Sequence, residues 1–172
     1  MEKEPFDIDR AMRLVAEAVR PYPKAALFAL AEAGYRTLFQ QLVACIISIR
    51  TRDEVTLIAA RRCLEAAPTP AAMAALDAAA IEALIRPSTY HEAKAPRLRA
   101  IARAVVAEYG GALPCDEAVL RSFHGVGPKC AHLVLGIACG EPHISVDVHV
   151  HRVTNRWGYV RASRPEATMV TL

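Results

Sequence analysis

The sequence lacks any apolar run long enough to cross a bilayer. Its longest apolar stretches, such as residues 42–49 (LVACIISI), fall far short of the roughly 20 residues that a spanning helix needs. The first residues, MEKEPFDIDR, also lack the apolar segment of a secretory signal. The chain has 172 residues, of which 53% are hydrophobic and 23% charged, as in ordinary globular proteins. We therefore expect a folded protein that resides in the cytoplasm.

Cysteines are few, and their spacing is not that of a metal site. The sequence contains no C-x-x-C pair, and an odd number of cysteines without an export signal favours reduced thiols. We predict that all five are reduced, mostly buried packing residues and that they hold no metal. They are Cys45, Cys63, Cys115, Cys130 and Cys139.

The net charge is small, but the charged residues are unevenly distributed along the chain. The net charge of +3 is too small to indicate a nucleic-acid partner by itself. Residues 1–120 carry 15 basic and 15 acidic side chains, so the whole excess falls in residues 121–172, together with five of the six histidines. We expect a polyanionic partner to contact that segment.

Strand signals are also scarce, whereas helix signals recur along the chain. Residues 38–49 are apolar on nearly every side, which predicts a buried central helix. Glycines at 110 and 140 mark helix ends, and the composition therefore predicts an all-α fold. The residues predicted to cap helix starts are Asp7, Asp53, Thr69, Asp77 and Asp116.

One segment conflicts with the all-helix pattern. Residues 143–152 (HISVDVHVHR) alternate apolar and polar side chains, which by period alone indicates a half-buried strand. The sequence offers no convincing second strand to pair with it. We therefore predict a short extended piece that ends at Val146, followed by a helix capped by Asp147.

Residues 123–131 (FHGVGPKCA) contain the pattern of a tight turn between two helices. We predict a helix-hairpin-helix at about residues 117–139. Gly125 and Gly127 permit positive φ and close approach of a ligand, and the second helix presents free N–H groups. With Val126 between them, these glycines predict a cradle for a DNA phosphate. A glycine turn that binds no ligand is the alternative.

Lys129 follows this turn by two residues. At the N-terminal end of a helix the macrodipole opposes an ammonium ion and favours the neutral amine, which is the nucleophilic form. A lysine after a glycine turn can equally contact phosphate. The pattern therefore leaves two roles for Lys129, phosphate contact and nucleophile.

Residues 120–160 resemble the core of the endonuclease III family of DNA base-excision glycosylases, in the helix-hairpin-helix-GPD superfamily. The resemblance rests on the hairpin, on Lys129 and on the run VDVHVHRVTNR, and weaker similarity extends back to about Phe39. It implies a DNA glycosylase with AP lyase activity that removes oxidised pyrimidines. Such an enzyme acts as a monomer on damaged or abasic double-stranded DNA. It lies in a cytoplasm of bacterial type and is associated with the nucleoid through the DNA that it binds.

The same resemblance implies roles for particular residues. Lys129 matches the lysine that attacks the sugar C1′, expels the base and forms a Schiff base, after which β-elimination nicks the strand. Asp147 matches the carboxylate that stabilises charge at the sugar, and a simple helix cap is its other interpretation. His149 matches a family histidine that contacts DNA. With His151 it could suggest a metal site, but no third ligand accompanies the pair, and no metal is predicted.

Further positions are implied around the flipped base. Arg50 stands where the family often has a glutamine that fills the gap left by this base. Asp53 matches an aspartate of the lesion pocket, although capping its own helix explains it equally well. Thr89 and Tyr90 lie in a loop, STYHEAKAP, that aligns with the second wedge loop of the family.

The resemblance also implies an arrangement in two lobes. Residues 1–22 would form an N-terminal helix of the second lobe, residues 23–142 a six-helix domain, and residues 143–172 the start of the C-terminal lobe. Family members carry four further cysteines that bind a 4Fe-4S cluster. We expect no cofactor within residues 1–172, a cluster only if the chain continues beyond Leu172, and an incomplete second lobe.

Two other functions fit parts of the pattern. A non-catalytic helix-hairpin-helix module would need the hairpin glycines but not Lys129 or Asp147. A monofunctional mismatch glycosylase would lack a lysine at position 129.

Overall fold

The structure is a computed structural model that describes residues 6–172. No strand occurs among these residues, which confirms the all-α prediction. No helix in this range is both long and apolar enough to pass through a membrane. The helices are α1 (Ile8–Val19), α2 (Ala26–Glu32), α3 (Leu38–Ser48), α4 (Asp53–Ala66), α5 (Pro70–Ala75), α6 (Ala78–Ile85), α7 (His91–Tyr109), α8 (Glu117–Ser122), α9 (Pro128–Cys139), α10 (Val148–Arg156) and α11 (Pro165–Thr171).

The described chain divides into two compact units. One combines the residues up to Lys24 with Ile144–Leu172, and the other is the continuous segment Ala25–His143. The continuous unit contains eight helices, α2 to α9, where the sequence predicted six. Two of them, α5 and α8, have only six residues each, and α2 begins after Ala25, which offers no side chain as a cap. Short helices, and a helix without a side-chain cap, leave only weak signals in the sequence.

The continuous unit is built around α3. Thr37 caps this helix, and the Gln40 side chain accepts a hydrogen bond from the Thr37 N–H in return, so that both form a capping box. Nine of its eleven residues are buried, which confirms the predicted central helix. Helices α2, α4, α7 and α9 pack against it. The end of α3 and the start of α9 therefore belong to the same core.

Helix α7 is the longest element and packs on α3, α5 and α6. It begins at His91, because Tyr90 takes a left-handed conformation with φ of 58° and ends the preceding turn. Gly110, with φ of 60°, ends the helix as predicted. Its buried residues are Lys94, Ala95, Leu98, Ile101, Ala102 and Val105.

The other unit contains α1, α10 and α11. Asp7 caps α1 through the N–H of Arg10, as predicted, and the ring of Phe6 stacks on that of Trp157 with 5.1 Å between centroids. The segment with alternating apolar residues forms no strand before Asp147 and is helical from Val148, which confirms the predicted helix capped by Asp147. Helix α10 packs on α11.

Candidate nucleic-acid interface and catalytic residues

The hairpin joins α8 to α9 through a tight turn. The N–H of Val126 donates to the carbonyl of Phe123 over 3.1 Å, and Gly125 has a left-handed backbone with φ of 85°. Helix α9 begins at Pro128, and its N-cap, Gly127, has no side chain to cap the first turn. The helix-hairpin-helix therefore forms where the sequence predicted it, with the positive end of the α9 dipole at the turn.

Gly125 is required by its φ, and the flexible end of the Arg97 side chain lies against it. A Cβ built on this residue would lie 2.5 Å from Nη1 and 2.7 Å from Cζ of Arg97, which belongs to α7. The Nε of Arg97 is buried and has no hydrogen-bond partner within residues 6–172. The guanidinium group thus occupies the space next to the turn.

The prediction of positive φ is wrong for Gly127, because its backbone is extended, with φ of −94° and ψ of 176°. Any residue can adopt these angles, so positive φ is needed only at Gly125. A Cβ at Gly127 would meet nothing within 4 Å. What glycine provides here is open space in front of the α9 terminus.

Lys129 is the second residue of α9, and its side chain is exposed. The adjacent Cys130 points into the core, and its Sγ lies 2.6 Å from Sγ of Cys45 on α3. This hydrogen bond holds the pKa of the Cys45 thiol below its ordinary value, with help from the charge of Lys129 and against the effect of burial. The candidate nucleophile therefore lies beside a buried thiol pair.

The prediction that all five cysteines are reduced is wrong. Cys115 and Cys139 form a disulfide, because the segment before α8 and the last residue of α9 meet with 6.2 Å between Cα atoms. This bond encloses the whole helix-hairpin-helix. The other three cysteines are free and buried, as predicted.

The cysteines do not fit an iron–sulfur cluster, which needs about four converging thiolates. Cys115 and Cys139 are consumed by the disulfide, and Cys45 is paired with Cys130. Cys63 belongs to α4, where burial raises the pKa of its thiol to about 12 and opposes the thiolate form.

Asp147 caps α10 with one carboxylate oxygen. Its Oδ1 accepts hydrogen bonds from the N–H groups of His149 and Val150, over 2.8 and 2.9 Å. The imidazole of His149 is exposed, whereas Nδ1 of His151 lies 2.7 Å from Oγ1 of Thr168. The cap fixes the orientation of the Asp147 carboxylate, and the two histidines differ in their surroundings.

The two candidate loops at the flipped base share an unusual backbone. Arg50 and Tyr90, with φ of 54° and 58°, are the only non-glycine residues with positive φ within residues 6–172. Such a conformation costs about 1–2 kcal/mol per residue and often marks functional loops. The N–H of Thr89 donates to Oγ1 of Thr51 over 3.1 Å. The structure therefore joins the loop of Arg50 to the loop of Thr89 and Tyr90.

Lys94 also binds the loop of Arg50, and it was not among the site residues predicted from the sequence. Its Nζ donates to the carbonyls of Ile47 and Ile49 over 2.7 and 2.8 Å, and to Oγ1 of Thr51 over 3.1 Å. The residue is only 3% exposed. Burial lowers its pKa to about 8, and the charge of Arg97 adds to this effect.

A signal for Lys94 was present in the sequence. On α7 it lies one turn before Leu98, and the buried Ile101 and Val105 continue the same stripe. A lysine within an apolar stripe needs buried acceptors, because lysines are rarely buried without partners. This signal indicates a buried lysine but not its acceptors, which lie 43 to 47 residues away in sequence.

Asp53 is not the cap of its own helix. Arg52 occupies the N-cap of α4, and Asp53 is the first helical residue. Its Oδ2 instead accepts a hydrogen bond of 3.3 Å from the N–H of Ala26, at the start of α2. The carboxylate therefore supports a helix for which no side-chain cap exists locally.

One further group of side chains has the atoms of a metal site. The ligand atoms of Glu82, His91 and Glu92 lie within 4.8 Å of one another, the only such group of three among residues 6–172. Both ring nitrogens of His91 lie 3.3 Å from a glutamate oxygen, one in each neighbour. Exposed acidic groups beside a histidine are common without a metal, and we assign none here.

Comparison with known proteins agrees with this geometry. The family model described as HhH-GPD superfamily base excision DNA repair protein matches residues 43–172. The chain is 38% identical over 130 residues to Endonuclease III of Thermotoga maritima. This alignment covers 76% of the chain but only 61% of the relative, so the chain spans less than two thirds of that protein's length.

Two solved structures are similar over most of the chain. One is described as a non-covalent Endonuclease III-DNA complex, with a TM-score of 0.79, 26% identity, and coverage of 96% of this chain and 76% of that one. The other is a trapped Endonuclease III-DNA covalent intermediate, with a TM-score of 0.74, 30% identity, and coverage of 80% and 65%. Because the family model matches most of the sequence and the fold agrees, the chain belongs to the HhH-GPD superfamily of base excision DNA repair proteins.

Proposed function

We propose that the protein is a base-excision repair DNA glycosylase with AP lyase activity, which removes oxidised pyrimidines from duplex DNA. The observation that carries this proposal is the position of Lys129 on the first turn of α9, directly after Gly127 and Pro128. The relative named Endonuclease III supports the enzyme class. The similar structure described as a trapped covalent intermediate supports a covalent step.

The hairpin is the DNA-binding element of this proposal. Gly125 turns the chain, the side chain of Val126 is buried and anchors the turn, and Gly127 leaves open space before the first turn of α9. A phosphate oxygen can approach that space closely, where the N–H groups and the positive end of the dipole favour an anion. Such contacts hold the backbone of any sequence.

The loops and exposed groups act around the flipped base. Arg50 fills the gap that this base leaves in the stack, and Thr89 and Tyr90 contact the DNA beside it. His149 binds the DNA from its exposed position on α10. Asp53 lines the lesion pocket. These roles rest on the resemblance, and the strained backbone at Arg50 and Tyr90 supports them.

Lys129 and Asp147 perform the chemistry. The neutral amine of Lys129 attacks C1′, and the bond from C1′ to the base breaks as the base leaves with its electron pair and takes up a proton. Opening of the sugar gives a Schiff base, loss of a proton from C2′ then expels the 3′ phosphate, and hydrolysis frees the lysine. Asp147 stabilises positive charge at the sugar and assists the proton transfers.

Borohydride trapping tests this proposal, because reduction of the Schiff base links protein to DNA permanently. We expect the wild-type protein to be trapped on abasic and oxidised-pyrimidine duplexes, and Lys129→Gln to lose trapping on both. Lys24→Gln is the matched control, since it removes another of the four lysines without touching the hairpin. Equal trapping of wild type and Lys129→Gln would contradict the assignment.

The two alternative functions give different results in the same assay. A non-catalytic hairpin module would bind duplex DNA without releasing a base or being trapped. A monofunctional glycosylase would release the base but leave the strand intact and remain untrapped. Base release that is accompanied by nicking and trapping supports the bifunctional enzyme.

We expect no iron–sulfur cluster within residues 1–172, and the disulfide together with the pairing of Cys45 and Cys130 supports this expectation. We expect a preparation whose mass confirms an end at Leu172 to be colourless, even when purified without oxygen. Stoichiometric iron and acid-labile sulfide in such a preparation would contradict this expectation.

A further inference from the structure

The ammonium group of Lys94, on α7, binds one short segment of the chain, residues 47–51. Two of its bonds reach carbonyls at the C-terminal end of α3, those of Ile47 and Ile49, and the third reaches Oγ1 of Thr51. An ammonium has three donors, so these bonds use all of them. Arg50 lies between Ile49 and Thr51, and its backbone conformation is therefore fixed on both sides.

Thr51 extends this connection to the second loop. Its Oγ1 accepts the N–H of Thr89 over 3.1 Å and donates to the carbonyl of Ile49 over 3.3 Å. Tyr90, which follows Thr89, has the other positive φ among the non-glycine residues that the structure describes. One hydroxyl group thus links Lys94 to both strained positions.

A helix cap alone would not need this arrangement. The carbonyl of Ile47 is buried and needs a protein donor, whereas the bonds to Ile49 and Thr51 are only partly buried, where water or an exposed lysine can take their place. Here the lysine is 3% exposed, and burying a charge is unfavourable unless its bonds compensate. What the buried ammonium adds is a rigid link between two loops whose tips, Arg50 and Tyr90, are exposed.

From this geometry, and on the basis of the proposed function, we infer that Lys94 is a positioning residue for DNA insertion. Through Thr51 it holds the loop of Arg50 and the loop of Thr89 and Tyr90 as one rigid unit. The two side chains then enter the DNA together when the damaged nucleotide leaves the stack. Lys94 itself touches neither the DNA nor the reacting sugar.

This role predicts a loss that depends on the substrate. An abasic site in duplex DNA must be extruded, and the gap must be filled, before Lys129 can react. The same abasic strand without its complement has no stack to open. A defect in loop positioning therefore slows reaction on the duplex, whereas a general loss of folding slows reaction on both substrates.

The test compares Thr51→Val, Thr51→Ser and Lys94→Met on the two substrates. We expect Thr51→Val and Lys94→Met to slow borohydride trapping on abasic duplex by about tenfold or more, as misplaced groups commonly do. Trapping on the single strand should remain at the wild-type rate. Thr51→Ser keeps the hydroxyl and should restore the duplex rate. If Lys94→Met does not fold by circular dichroism, the two Thr51 variants decide the result.

A second readout separates this inference from the proposed chemistry. The fluorescence of 2-aminopurine placed next to the abasic site rises when protein insertion disrupts stacking, whether or not the DNA is cut. We expect the wild type and Thr51→Ser to raise it more than Thr51→Val at saturating protein. Absence of wild-type trapping would contradict the proposed function alone. Equal fluorescence for Thr51→Val and Thr51→Ser, or equal losses on both substrates, would overturn the role of Lys94.

Discussion

The guanidinium group of Arg97 occupies the position that a side chain at Gly125 would need. A Cβ there would lie 2.5 Å from Nη1, closer than the non-bonded contacts that real Cβ atoms make, while the left-handed φ of 85° already disfavours any other residue. Arg97 of helix α7 therefore lies against the hairpin at a residue that has no side chain.

The two hairpin glycines should respond differently to alanine. Gly125→Ala should lower the free energy of unfolding by at least about 1–2 kcal/mol, because of its φ alone, and by more through the contact with Arg97. Gly127→Ala should lower it less, since its backbone is extended and its surroundings are open, and only the poorer N-cap preference of alanine acts against it. Urea unfolding measures both. If Arg97→Ala in the Gly125→Ala background restores none of the lost free energy of unfolding, the contact with Arg97 does not contribute to the loss.

Asp147→Asn should separate catalysis from stability. Asparagine caps helices as well as aspartate does, so the free energy of unfolding and the affinity for DNA should be retained. Turnover should fall by about 100-fold, because a neutral amide cannot stabilise positive charge at the sugar. Asp7→Asn, at the cap of α1, is the matched control for both measurements. Normal cutting by Asp147→Asn would reduce Asp147 to a cap.

Lys94 should titrate well below an ordinary lysine. Its pKa is lowered from 10.5 to about 8, so between these values the unfolded chain binds more protons than the folded one. The contribution of Lys94 to the free energy of unfolding therefore rises with pH from about 8 to about 10.5. The difference in this free energy between wild type and Lys94→Met should increase across that window. An NMR titration midpoint near 10.5 for Lys94 would contradict the prediction.

The disulfide should make a measurable contribution to stability. It closes a loop with a sequence separation of 24. In the chain-entropy model, opening a loop of that size lowers the free energy of unfolding by about 3.5 kcal/mol. We expect this loss for the double variant Cys115→Ser and Cys139→Ser in urea. Thiol counting on the unfolded wild type without reductant should give three free thiols, and a count of five would contradict the bond.

Local features of the fold could be predicted from sequence, and long-range contacts could not. Asp7, Asp116 and Asp147 cap the helices that they were predicted to cap, because a cap depends on a side chain and a backbone N–H at most three residues away. The bonds of Lys94 to α3 and of Asp53 to Ala26 join residues 27 to 47 apart. Only the packing of whole helices brings these partners together, and no local pattern encodes it.

For the site, the hairpin and the start of α9 followed from the glycines and Pro128, which act locally. The exposure of Lys129 and the disulfide from Cys115 to Cys139 did not follow, since both depend on how α8 and α9 pack. The left-handed conformations of Arg50 and Tyr90 could not be predicted from the sequence either. Neither Arg50 nor Tyr90 has the residue type that usually adopts positive φ.

The division of the chain into a continuous and a discontinuous unit has a consequence for synthesis on the ribosome. The segment Ala25–His143 can form all of its internal contacts as soon as residue 143 has emerged. Phe6, by contrast, stacks on Trp157, which is synthesised about 150 residues later. At roughly 10 residues per second, this delay is about 15 seconds. During that interval the ring of Phe6 lacks the aromatic partner on which it stacks in the folded chain, so the discontinuous unit is completed after the continuous one.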